Sequence, residues 1–112
     1  MENMQPKCHP TYGRVDELLS LLTKSKSLHT LMVLDRKKNP ARFSELKKLV
    51  DSSSTTVARR LNELEQHGLV SRTQTENSEH GFEYSMTEDA RTLSPILQSL
   101  FEWVDERSNL SV

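Results

Sequence analysis

One segment, SSSTTVARRLNELEQHGLV at residues 52–70, restricts the fold more than any other part of the chain. Its apolar residues have the spacing that places them on one side of an α-helix: Val57, Leu61 and Leu64. Ser53 has a short hydroxyl side chain of the kind that caps a helix start, and Gly68 suits the left-handed backbone that ends a helix. The segment therefore predicts an amphipathic helix over residues 54–67.

Two strand-like segments follow this helix. Residues 69–75 and 82–86 are rich in β-branched residues or alternate between apolar and polar ones, which is typical of strands. The polar residues 76–81 between them have the composition of a hairpin tip. A β-hairpin is therefore predicted directly after the helix.

Three further helices are predicted before this unit. Apolar residues recur at helical spacing over residues 15–22 and 28–37, and Pro40 follows the second stripe. Ser44 is placed to cap a short helix that ends near Val50. With a last helix after the hairpin, this order predicts a mainly α fold with a small β-hairpin, the winged helix-turn-helix. Such an order is mainly a nucleic-acid-binding design.

The last predicted helix has more apolar surface than one small domain can easily cover. Thr87 is a suitable cap for its start, and Pro95 should kink or divide it near Leu93. An uncovered apolar surface favours association of two chains through their terminal helices. The residues predicted to lie in this dimer interface are Val15, Leu18, Leu22, Leu93, Leu97, Leu100, Phe101 and Val104.

The 112 residues are expected to form one small cytoplasmic domain. We expect an N-terminal arm at residues 1–13, the DNA-binding domain with its C-terminal dimerisation helix at 14–106, and a tail at 107–112. No segment approaches the roughly 18 apolar residues of a membrane span, and the first residues lack the pattern of a signal peptide.

The sequence has no residue pattern that is typical of an enzyme. Its four histidines are scattered, and three glycines are too few for a phosphate-binding loop. The single cysteine, Cys8, excludes a disulfide within one chain and a thiolate zinc site. We therefore expect no catalytic activity, no metal and no cofactor.

The charges are unevenly distributed along a chain whose formal net charge is −1. Eight basic residues and only two acidic ones lie between Arg36 and Arg60. This block coincides with the predicted helix-turn-helix, as expected of a surface that faces phosphates. The alternative is a solvated charged helix face.

The sequence suggests a set of residues for contact with double-stranded DNA. Thr55, Thr56 and Arg59 lie in the first turns of the predicted recognition helix, where side chains can read base edges. For Arg59 and Arg60 the alternative is a surface ion pair with Glu63. The full set, with the residues expected to contact phosphates, is Ser44, Lys47, Lys48, Ser53, Ser54, Thr55, Thr56, Arg59, Arg60 and Arg72.

The hairpin tip is the part that fits DNA binding least well. Residues 76–81 include two acids and no lysine or arginine, so insertion of a basic tip into a minor groove is not expected. Together with the near-neutral net charge, this leaves a second hypothesis. The fold would then be a protein-interaction module that docks another regulator or the transcription machinery.

Four blocks of the sequence carry a resemblance to a known family. RFSELKKLV, RRLNELEQHGLVSRT, FEYSMTEDAR and LSPILQSLFEW resemble the HxlR-type branch of the MarR-like winged-helix transcription regulators. The resemblance covers residues 42–103. It implies a homodimer formed by terminal helices and two recognition helices on a pseudo-palindromic operator, with residues 53–60 as the reading segment and 72–84 as the wing.

The chain departs from the family pattern in two places and keeps one cysteine that the family pattern makes a candidate sensor. Where the family commonly has Gly-Lys-Trp, this chain has Ser27-Leu28-His29, and the basic wing residue of the family falls at Gly81. Many members sense oxidants or electrophiles through a cysteine before the first helix. The resemblance therefore implies that Cys8 is a candidate redox sensor and that small molecules and redox agents are candidate effectors. The alternative is an exposed thiol without function.

Overall fold

The computed structural model describes residues 9–38, 40–75 and 81–110, with side chains to Ser108. Cys8 and most of the predicted hairpin tip lie outside these residues. The elements are α1 (Pro10–Leu22), α2 (Ser27–Arg36), β1 (Ala41–Arg42), α3 (Phe43–Val50), α4 (Ser54–Gln66), β2 (Val70–Gln74), β3 (Phe82–Met86), α5 (Glu88–Arg91) and α6 (Ser94–Leu110). The predicted winged helix-turn-helix is thus confirmed.

The core lies among α2, α3, α4 and the sheet. Its largest fully buried apolar side chains come from all of these elements: Leu31, Leu34, Leu46, Val50, Val57, Leu61, Leu64 and Val70. Fully burying one leucine or valine contributes about 1.5–3 kcal/mol relative to leaving it exposed. This shared cluster holds α3 and α4 in a fixed relation.

The sheet has three antiparallel strands in the order β1-β3-β2. The prediction of a two-stranded hairpin was therefore incomplete, because it omitted β1. Ala41 pairs with Tyr84 and Arg42 with Glu83, while Val70 on the other side pairs with Met86. Two residues are too few to show a strand pattern in the sequence, and the pairing depends on a strand about forty residues further along the chain.

Both ends of α4 follow the sequence prediction. The Thr56 amide donates to Ser53 Oγ at 3.2 Å, so Ser53 caps the helix. Gly68 has φ of 76°, the left-handed conformation expected after a helix end.

At the start of α3 the prediction was wrong. The helix begins at Phe43, and Ser44 is its second residue, not its cap. The Glu45 carboxylate instead accepts from the Arg42 amide at 3.3 Å.

The terminal helices extend beyond their predicted limits. Helix α1 begins at Pro10, inside the predicted arm, because proline suits the first helical position and His9 Nδ1 accepts from the Thr11 amide at 3.1 Å. Helix α6 continues to Leu110, through residues predicted to be a tail. The predicted division near Leu93 is confirmed by the break between α5 and α6. No helix of the described residues is long and apolar enough to cross a membrane.

A charged network joins α4 to the turn between α1 and α2. The Arg60 guanidinium donates through Nε to the Ser25 carbonyl at 2.8 Å and through Nη1 to Glu63 Oε1 at 2.7 Å. Lys24 Nζ lies 3.3 Å from the second oxygen of the same carboxylate, Glu63 Oε2. The hydrogen bond from Arg60 lowers the pKa of Glu63, with a further contribution from Lys24, and outweighs the opposing effect of burial.

Replacing Glu63 with glutamine is expected to lower the free energy of unfolding by about 1 kcal/mol near neutral pH, since Arg60 and Lys24 lose their anion. Folding lowers the pKa of Glu63, so the ionised carboxylate stabilises the fold above its ordinary pKa. This contribution is lost as pH falls through the lowered pKa. Urea denaturation of wild type and Glu63→Gln should therefore give stability curves that converge toward acidic pH.

Glu106→Gln, at an exposed glutamate of α6, provides the matched control. It removes the same charge from a site outside the network and should change stability less. Equal stability of Glu63→Gln and wild type over the whole pH series would contradict the stabilising role of the network.

Candidate nucleic-acid interface

The turn between α3 and α4 is short and tightly held. Asp51 ends α3 in the left-handed conformation, with φ of 57°, and its amide donates to the Lys47 carbonyl at 3.0 Å. Only Ser52 and the capping Ser53 separate it from α4. Because both helices also contribute to the buried core, the turn fixes α4 as the second helix of a helix-turn-helix.

One face of α4 is exposed along its length. The side chains on the opposite face, at positions 57, 61 and 64, are buried in the core. The exposed residues at complementary helical positions are Thr55, Arg59, Asn62 and Gln66. The predicted orientation of Thr55 and Arg59 is thus confirmed, and Arg59 forms no ion pair with Glu63 among the residues that the structure describes.

The first turn of α4 is held by its own hydroxyl groups. Ser53 Oγ lies 3.0 Å from Thr56 Oγ1 and also accepts from the Thr56 amide. The capping role that the sequence suggested for Ser53 is therefore confirmed. Thr56 is half-buried, whereas Ser54 and Thr55 are exposed. The hydroxyl pair limits the freedom of Thr56 but leaves Ser54 and Thr55 on the surface.

Arg60 differs from its neighbour Arg59. Its side chain is only 12% exposed, and its guanidinium bonds Ser25 and Glu63 within the protein. The ion-pair alternative is thus the one that the structure supports for Arg60, and the residue joins α4 to the turn between α1 and α2. We therefore remove Arg60 from the candidate DNA contacts.

A basic cleft lies beside the turn that precedes α4. It has a volume of about 420 Å³ and is lined by Ser44, Lys47, Lys48, Asp51 and Ser52. Lys47 and Lys48 are exposed near the end of α3, and within the described ranges neither lysine forms an ion pair. Three of the residues predicted from the sequence to contact phosphates thus line one cleft: Ser44, Lys47 and Lys48.

The remaining candidate, Arg72, lies on β2 at the base of the wing. Its guanidinium carbon is 4.6 Å from the centre of the Phe82 ring, and its Nε is 3.8 Å from Glu65 Oε2. The sequence pattern did not indicate Phe82 and Glu65 as neighbours of Arg72. Alternation along the paired strands places Phe82 on the same face, but the approach of α4 to β2 becomes visible only in the fold.

The terminal helices expose apolar side chains that could face another molecule. Leu100, Phe101 and Val104 of the predicted interface are between 41% and 49% exposed, and Val15 is 44% exposed. Other exposed apolar residues extend these surfaces: Tyr12 and Leu19 on α1, and Ile96 and Trp103 on α6. Leu18 and Leu93 are half-buried against the core.

Two residues of the predicted interface are placed differently. Leu22 is 6% exposed and Leu97 is 4% exposed, and both belong to the core of the chain itself. Helical spacing cannot separate a side chain that packs within its own chain from one that faces a partner. We therefore remove both leucines from the proposed interface.

A groove between α2 and α6 continues the exposed surface of α6. It has a volume of about 350 Å³ and is lined by Leu28, His29, Met32, Val33, Arg36 and Phe101. The Arg36 guanidinium carbon lies 4.6 Å from the centre of the Phe101 ring. In the described part of the chain, no group of histidine, cysteine and acidic side chains could hold a metal ion.

Comparison with known proteins gives a match over most of the chain. Residues 23–111 match the family model described as HxlR-like helix-turn-helix. An HTH-type transcriptional regulator of Halalkalibacterium halodurans is 41% identical over 71 residues, which cover 62% of this chain and 63% of that protein. The matched segment therefore spans less than two thirds of that relative. The HTH-type transcriptional regulator YvaP of Bacillus subtilis is 34% identical over 105 residues, covering 93% of this chain and 92% of YvaP.

A solved structure agrees with these sequence matches. The reduced form of the transcriptional regulator YodB from Bacillus subtilis superposes with a TM-score of 0.72 and is 28% identical. The match covers 89% of this chain and 94% of YodB. The protein therefore belongs to the HxlR-like helix-turn-helix family and has the fold of the MarR-like winged-helix regulators.

Proposed function

We propose that this protein is a transcriptional regulator that binds duplex DNA as a homodimer, with α4 in the major groove of each half of a pseudo-palindromic operator. The observation that carries the proposal is the exposed face of α4, with Thr55 and Arg59 at its start and Lys47 and Lys48 beside it. The relatives named as transcriptional regulators support it. Such a protein would act in the cytoplasm.

The basic cleft supplies the groups that dock on phosphates. Lys47 and Lys48 provide two cations, and the hydroxyl groups of Ser44 and Ser54 lie on either side of the turn. Phosphate contacts of this kind fix the orientation of a protein on duplex DNA without reading its sequence. They would hold α4 with its exposed face toward the bases.

The exposed face of α4 supplies the groups that read bases. The Arg59 guanidinium has donors for a bidentate contact with guanine, and the methyl group of Thr55 can contact the methyl group of thymine. Both lie in the first two turns of α4, which is the part that enters a major groove most deeply. One bidentate contact discriminates by about 1–3 kcal/mol against the wrong base.

The terminal helices supply the surface for a second copy. Val15 and Leu19 on α1, and Leu100 and Val104 on α6, are each between 44% and 49% exposed. Residues four apart lie on one side of a helix, so each pair forms part of a continuous apolar face. Association of two such faces would remove them from water and set two copies of α4 on one side of the dimer.

Replacing Arg59 with alanine is expected to reduce the preference for the operator over unrelated duplexes by about 1–3 kcal/mol. Replacing Lys47 with alanine should instead weaken binding to all duplexes alike and lower the slope of log affinity against log salt by about one. Fluorescence anisotropy with an operator selected from random DNA would measure both effects. Arg91→Ala, at an exposed arginine of α5 and thus outside the helix-turn-helix, is the control.

The same titrations distinguish the proposed function from the rival hypothesis of a protein-interaction module. Wild-type protein that binds no duplex even at low salt would contradict the proposed function. Capture of a protein partner that survives loss of both Arg59 and Lys47 would then favour the rival.

Replacing Leu100 and Val104 together with aspartate is expected to convert the dimer into a monomer, because each interface would hold four unpaired carboxylates. Affinity for the full operator should fall steeply, since a monomer contacts one half-site. Analytical ultracentrifugation at micromolar concentration would measure the change. Leu49→Asp is the matched control for assembly, since this leucine of α3 is 52% exposed but lies outside the terminal helices. Wild-type protein that sediments as a monomer would refute the proposed dimer.

A further inference from the structure

The wing has one face that continues the core and one that faces away from it. Val70 and Met86 are a buried cross-strand pair, and successive side chains of a strand alternate between faces. The next residues on the core side are therefore Arg72 and Tyr84, followed by Phe82. Arg72 thus lies on the face of the wing that α4 approaches.

Two neighbours hold Arg72 from different sides. The Phe82 ring lies beneath its guanidinium, with 4.6 Å between the guanidinium carbon and the ring centre. Glu65, near the end of α4, approaches its Nε at 3.8 Å. A guanidinium stacked on a ring keeps the donors at its edges available, so the ring restricts its orientation without occupying its hydrogen bonds.

The contact with Glu65 is weak enough to be exchanged. The distance of 3.8 Å is longer than a hydrogen bond, and the side chains of Arg72 and Glu65 are 45% and 34% exposed. Exposed ion pairs of this kind contribute little and are screened by salt. A phosphate placed beside α4 could therefore replace the carboxylate as the partner of Arg72.

Arg72 is also the only lysine or arginine in the sequence from residue 69 to residue 86. Glu83, an acid of β3, lies at a register position on the opposite face and pairs across the sheet with Arg42 of β1. Arg72, the one lysine or arginine of this segment, thus lies on the face of the wing that α4 approaches. Glu83 lies on the other face.

We propose that Phe82 is a positioning residue, which holds the Arg72 guanidinium toward the DNA backbone beside α4, and that Glu65 occupies Arg72 until a phosphate replaces it. This proposal rests on the proposed function. In this arrangement the wing contacts a phosphate through Arg72 at its base, so a basic residue at its tip is not required. The roles of the two neighbours have opposite signs: loss of the ring weakens DNA binding, and loss of the carboxylate strengthens it.

The test is a double-mutant cycle in which affinity for operator DNA is measured by fluorescence anisotropy over a range of salt concentrations. Phe82→Leu should weaken binding about two- to fivefold, and Phe82→Tyr, which keeps the ring, should retain wild-type affinity. Arg72→Gln should lower the slope of log affinity against log salt by about one. In the Arg72→Gln background, Phe82→Leu should have no further effect, a result that general damage to the sheet would not give. Thermal melting checks that each variant folds.

Glu65→Gln should bind more tightly than wild type, and Glu83→Gln is its matched control because it removes the same charge from the other face of the wing. Wild type that binds DNA while Arg72→Gln keeps its affinity and salt slope would overturn the inference and leave the proposed function intact. Equal effects of Phe82→Leu with and without Arg72 would overturn the positioning role. Absence of DNA binding by wild type would instead refute the proposed function.

Discussion

Burial of one face of α4 is the constraint on which the rest of the structure depends. Val57, Leu61 and Leu64 are each at most 1% exposed, and successive residues of a helix are about 100° apart. Once these three enter the core, the directions of all other side chains on α4 are set. Arg59 must face outward, while Arg60 must lie on a flank where the turn between α1 and α2 can reach it. Two adjacent arginines thereby acquire different roles from one packing interaction.

The parts of the fold that could be predicted are those specified by neighbouring residues. The face of α4, its serine cap, Gly68 and the break near Pro95 all depend on residues within a few positions of one another. The parts that could not be predicted depend on distant segments. Strand β1 exists because β3 lies beside it, and helical spacing alone could not show that Leu22 and Leu97 pack within their own chain.

The same distinction separates the residues of the candidate interface. The exposure of Arg59 follows from the helical pattern, so the sequence alone could indicate it. The position of the Arg60 side chain depends on Ser25, a residue 35 positions earlier. The position of the Arg72 side chain depends on Phe82 and Glu65, which belong to two other elements. A sequence shows which arginines are present, but their free or bound state is decided by neighbours that only the tertiary structure supplies.

Helix α6 is connected to α4 through contacts with α2, and these contacts affect the geometry of the proposed dimer. Ser94 Oγ, at the start of α6, donates to the Asp35 carboxylate, with 2.7 Å to each oxygen, and so ties α6 to α2. Helix α2 packs against α4 in the shared core, and Arg36 of α2 stacks on Phe101 of α6. In a dimer formed through α6, the angle between α6 and α2 would therefore set the distance between the two copies of α4. Half-sites in DNA lie about 34 Å apart, so a small change in that angle is enough to place one α4 out of register with its groove.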